Sequence, residues 1–134
     1  MLAFFIVKQF GKNGSGYDAE LTEDRKTMEH IHITHQALYA YYQKMNALPS
    51  SLVVFARYIL DNETPHEDEV AFMRIFDEAY AIEYQPQSDR AFHLCGLFHH
   101  SSKAQNSAPP GRFDRYKQQK ILYKSGRNYF NYLF

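Results

Sequence analysis

Residues 117–134 read KQQKILYKSGRNYFNYLF, and how this stretch is read decides the fold. Two runs rich in β-branched and aromatic residues flank Ser125-Gly126. A glycine in a two-residue connection supplies the positive φ that a tight hairpin needs, so the stretch predicts a C-terminal β-hairpin. With Ser125-Gly126 as the loop, Lys124 would face Arg127, Leu122 Tyr129, Ile121 Phe130 and Gln119 Tyr132. Because side chains alternate with period two, one face then carries Ile121, Tyr123, Phe130, Tyr132 and Phe134. The other carries Lys120, Lys124, Arg127, Tyr129 and Asn131, with Leu122 and Leu133 among them. The first face calls for a core, whereas the second sets cations beside an aromatic ring.

The remaining chain has the makings of that core. The sequence has 134 residues, enough for a single domain with one real core, and 45% of them are hydrophobic. With 11 Tyr and 11 Phe, burial potential excludes disorder over most of the length. One cysteine, Cys95, rules out an internal disulfide. No charged and then apolar leader opens the sequence, and Leu2 to Val7 is too short to span a bilayer, so the expected setting is cytoplasmic without membrane contact. The formal net charge is zero but unevenly divided. Up to Ser102 there are eight Lys and Arg against fourteen Asp and Glu, and from Lys103 onward seven against one. The expected layout is therefore a single domain with an acidic helical body (1–100), a linker (101–112) containing SSKAQNSAPPG, and a basic aromatic segment (113–134).

Within the body, LAFFIVKQF followed by the glycine-rich GKNGSG predicts a buried N-terminal strand that ends in a turn. That turn has neither the P-loop nor the dinucleotide-binding spacing. From Thr22, a capping hydroxyl followed by Glu23 and Asp24 predicts a helix start, with Pro49 as the stop. Its core stripe would be Met28, Ile31, His35, Leu38, Tyr42 and Met45, leaving His30 and Thr34 on other faces. The segment from Ser51 to Leu60 is apolar almost all round, which predicts a short buried helix, with a strand as the alternative. Thr64-Pro65-His66-Glu67 predicts another helix, with Thr64 as cap and Pro65 at the first position, running to about Tyr84. For 91–98 both a helix capped by Ser88 and a strand fit, Gly96 weighing against the helix.

Seven histidines raise the question of metal. Glu29 and His32 lie three apart on one helix, the spacing of bundle metal sites, and His35 follows, but no second helix supplies a matching pair. The expectation is no metal and no cofactor, with His35 in the core and the other histidines on the surface. Cys95 lies among apolar residues, which raise a thiol pKa, and no nucleophile elbow is present. Arg25 and His30, spaced as R-KTME-H, resemble the short Arg/His signature of HEPN-type helical ribonucleases. That resemblance covers six residues and implies Arg and His from two chains holding a scissile phosphate and moving a proton.

These readings combine into an α+β fold. An N-terminal strand and a C-terminal hairpin would form one small antiparallel sheet, packed against three or four helices through the side carrying Phe130 and Tyr132. The leading expectation is a non-catalytic binding or regulatory module that contacts nucleic acid or a nucleoprotein complex through Lys120, Lys124, Arg127, Tyr129 and Asn131. The alternative is an inhibitor or immunity-type protein whose acidic body, including Glu67 to Glu69, meets a basic protein partner. A homodimer is compatible with either.

Overall fold

The computed structural model describes residues 2–76, 82–102 and 122–134, with side chains from residue 16 onward. The expected α+β class is what is found: among the described residues there are three helices and a three-stranded antiparallel sheet. In chain order these are α1 (Leu2–Met45), α2 (Leu52–Asp61), α3 (Glu67–Ile75), β1 (Glu83–Pro86), β2 (Ala91–Phe98) and β3 (Gly126–Leu133). The expected linker, apart from Ser101 and Ser102, lies outside the described residues, as do Lys120 and Ile121.

The expected N-terminal strand is corrected: Leu2 to Val7 belong to α1, which continues through the glycines to Met45. A short apolar run carries no period that separates strand from helix, and extending an existing helix avoids a new nucleation step. Thr22 accordingly caps nothing. Its hydroxyl donates to the Asp18 carbonyl at 2.9 Å, and Thr27 does the same to Glu23 at 3.0 Å, both in mid-helix. The helix ends where Asn46 takes φ 57°, the left-handed cap that asparagine tolerates, with its N–H on the Tyr42 carbonyl at 2.7 Å.

α1 lies between the sheet and the other two helices, so it is buried on two sides. Ile31 and Leu38 are fully buried, as the stripe predicts, but so are Thr34 and His32 almost completely, and His30 is 8% exposed. The expectation that the histidines other than His35 are superficial therefore fails for His30 and His32. A single amphipathic stripe describes a helix with one neighbour, and this helix has two. Met45, at the far end, is exposed instead.

Ser51 caps α2 by accepting the Val54 N–H at 3.1 Å. The helix buries Phe55, Ala56 and Ile59, where Tyr41 of α1 meets Phe55 edge-on, while Val53, Val54 and Leu60 are exposed. It is thus one-faced rather than buried all round. In α3 the cap falls two residues later than the sequence suggests. The His66 imidazole accepts the Asp68 N–H at 3.0 Å, and Glu69 accepts the His66 N–H at 2.9 Å. Tyr84, expected at the end of that helix, belongs to β1, and its hydroxyl donates to the Pro49 carbonyl at 2.7 Å.

For 91–98 the strand reading holds. A turn at 87–90, in which Ser88 accepts the Ala91 N–H at 3.1 Å, joins β1 to β2. β3 begins at Gly126 (φ 99°), and its C-terminal half faces the core as expected, but its partner is β2. Arg127 lies opposite Leu97, Tyr129 opposite Cys95, Asn131 opposite His93, and Tyr132 opposite Phe92. Residues 122–124 are not a strand: the Asn128 carboxamide bonds both the N–H (3.0 Å) and the carbonyl (2.7 Å) of Lys124. Tyr123 turns inward and stacks on Phe98 at 4.0 Å. The inner face of the sheet, Phe92, Leu94, Phe98, Phe130, Tyr132 and Phe134, packs on α1. There His35 stacks on Tyr132 at 4.2 Å.

Candidate binding surface

Strand alternation sends every second residue of β3 outward. Arg127, Tyr129, Asn131 and Leu133 are exposed and the residues between them are half-buried, as the sequence reading places them. The register adds Ala91, His93, Cys95 and Leu97 of β2 to the same face, and Glu83 and Gln85 of β1. Among the described residues no helix packs on this side. Tyr129 is 53% exposed and Leu97 56%, with Leu133 more open still.

The cation expected to meet a partner is already engaged. Arg127 reaches diagonally across β2 and forms a salt bridge with Glu83, and its Nη1 lies 3.8 Å from the Cys95 sulfur. This roof explains why Cys95 is 1% exposed although its strand position faces outward. The hydrogen bond to Glu83 and then that to Cys95 push the guanidinium pKa further up, so Arg127 is a permanent cation neutralised by its neighbour. Lys124 is exposed beside the start of β3, and Lys120 lies outside the described residues. Of the candidate residues, the fold thus brings Arg127, Tyr129 and Asn131 onto one face with Lys124 near its end.

The weak metal candidates are not assembled. His35 sits in the aromatic stack of the core, where burial lowers its pKa, and His32 is almost wholly buried. Among the described residues no group of three or more His, Cys, Asp or Glu is placed to hold a metal ion. Arg25 and His30, the pair behind the ribonuclease resemblance, sit on α1 about 140° apart at 100° per residue. Among the described residues the buried Nε of Arg25 has no hydrogen-bond partner.

A second cluster went unnoticed in the sequence. The fully buried Asp24 carboxylate accepts the backbone N–H groups of His99 (2.7 Å) and His100 (2.8 Å) as the chain leaves β2. The His99 Nε2 meets Glu23 at 2.7 Å, the His100 Nε2 meets Glu20 at 3.0 Å, and the Tyr17 ring lies edge-on to His100 at 4.8 Å. Two residues on, Ser102 and Tyr123 bond reciprocally, Ser102 N–H to the Tyr123 carbonyl at 2.9 Å and Tyr123 N–H to the Ser102 hydroxyl at 3.2 Å. The signal was present as acids at i, i+3 and i+4 and a His-His pair after a strand. Glu23 and Asp24 suit a helix N-terminus, but the helix begins well before them.

Neither a protein-family model, nor a curated protein, nor a solved structure matches this chain. No helix among the described residues is long and apolar enough to cross a membrane.

Proposed function

We propose that the chain is a binding module that holds a protein partner on the open face of its sheet. The observation that supports this reading is the make-up of that face: Tyr129 and an already neutralised Arg127 stand among the exposed Leu97 and Leu133. Asn131, His93 and Gln85 add hydrogen-bonding groups beside them. Tyr and Arg are the side chains that most often anchor protein interfaces, and interface centres are poor in net charge. An acidic-body interface is less well supported, because Glu69 is buried in its helix cap and Asp24 is buried under the histidines.

The test is affinity capture from source-cell extract with the wild type and with a Leu97→Ser/Tyr129→Ala/Leu133→Ser variant. All three sites are exposed, so the variant is expected to fold and to lose the partner. Equal recovery of the same partner by both proteins would refute this use of the face.

Nucleic acid is the second reading, favoured by Lys124, Arg127 and Tyr129 lying together and by the seven Lys and Arg from Lys103 onward. It requires Arg127 to exchange Glu83 for a phosphate. On heparin or single-stranded RNA, the first reading expects elution like any protein of pI about 7.1. Salt-sensitive retention that is lost in Lys120→Gln/Lys124→Gln/Arg127→Gln would decide for nucleic acid.

A further inference from the structure

We propose that His99, His100, Glu20, Glu23 and Asp24 form a proton-operated clasp that holds the end of β2 on α1 and loosens when the His99 imidazole loses its proton. The contacts divide into two kinds. Asp24 fixes the backbone through the N–H groups of His99 and His100, and the two imidazoles lie on Glu23 and Glu20. Three carboxylates within two turns of one helix repel one another, and the His99 imidazolium relieves part of that repulsion.

Several groups face the cluster. From α1 there are Tyr17, Glu20, Glu23, Asp24 and Arg25, and from the end of β2 the two histidines. From the segment before β3 there is Tyr123, which interacts electrostatically with both Asp24 and Arg25. His99 is the most enclosed by charge, with Glu23 at 2.7 Å from Nε2 and Glu20 at 3.9 Å from Nδ1. Its hydrogen bond to Glu23 raises its pKa above 6.5, burial opposes this, and the charges of Asp24, Glu23 and Glu20 add to the rise.

The sign follows directly. The folded state favours the charged ring, so the contribution is complete below 6.5, the unfolded value, and is lost as pH rises through the elevated folded value. Because the Ser102–Tyr123 bonds and the Phe98–Tyr123 stack adjoin the clasp, loosening acts where the chain leaves β2 and where it re-enters β3.

The experiment is an NMR titration of the full chain, following the His99 ring and the amide protection factors of His99, His100 and Phe92. In the wild type the His99 midpoint should lie above 6.5, and Glu23→Gln, at an exposed position, should bring it down. Protection at His99 and His100 should fall about two- to fivefold as pH rises from below 6.5 through the measured His99 midpoint, the change a partly exposed ion pair supports, while Phe92 is unaffected. A midpoint at or below 6.5, pH-independent protection, or the same pH response in Glu23→Gln would each overturn the clasp.

Discussion

Gly96 lies on the inner face of β2 where α1 passes closest, and Gly96→Ala measures how tightly the two are joined. A Cβ there would sit 3.0 Å from Ile31 Cδ1, 3.0 Å from Thr27 Cγ2 and 3.2 Å from Phe98 Cε2. Thr27 cannot swing aside without breaking its hydroxyl bond to Glu23, and Ile31 is fully buried. Overpacking of this kind costs about 1–3 kcal/mol, and replacing a strand-interior glycine returns about 0.5–1 kcal/mol. The net runs from no loss to about 2.5 kcal/mol, with about 1.3 kcal/mol at the middle of both ranges. At roughly 2.1 cal/mol/K per residue, a chain of this length loses about 4 °C per kcal/mol, so the middle value lowers Tm by about 5 °C. Gly16→Ala is the control: among the described residues nothing lies within 4 Å of its Cβ position, and in a helix interior the exchange should gain up to about 1 kcal/mol. Calorimetry of both variants checks the pair. A raised Tm for Gly96→Ala would refute the close packing of α1 on β2.

Asp24→Ala removes the acceptor of two backbone N–H groups and should cost about 2–4 kcal/mol in urea unfolding, with Asp24→Asn keeping part of it. A loss below about 0.5 kcal/mol for the alanine variant would mean that the bidentate contact is not formed. His35 behaves oppositely to His99. Its pKa is lowered by burial, so between 6.5 and the lower folded value the unfolded state binds more protons and stability falls as pH drops through 6.5. His35→Leu should flatten this acid-side loss relative to wild type, His99 contributing equally to both, and an equally steep fall of Tm in the variant would show that the ring is not desolvated.

What could be read from the chain alone was whatever short-range chemistry specifies. The alternation of Arg127, Tyr129, Asn131 and Leu133 against Phe130, Tyr132 and Phe134 is a property of the strand itself, and it survives any change of partner. Pro49, Ser51 and the acidic start of α3 likewise mark helix ends through local bonds and backbone limits. That β3 pairs with Ala91 to Phe98 is different: no local signal names a partner so far back in the chain, and the sheet's packing on α1 brings the two strands together. The burial of His30, His32 and Thr34 also depends on α1 having neighbours on two sides, which no single-helix period encodes. The Asp24 clasp and the Arg127–Glu83 roof over Cys95 join residues 75 and 44 positions apart. Tertiary structure alone decides such pairs, because their attraction acts only after folding has met the entropy of closing those loops.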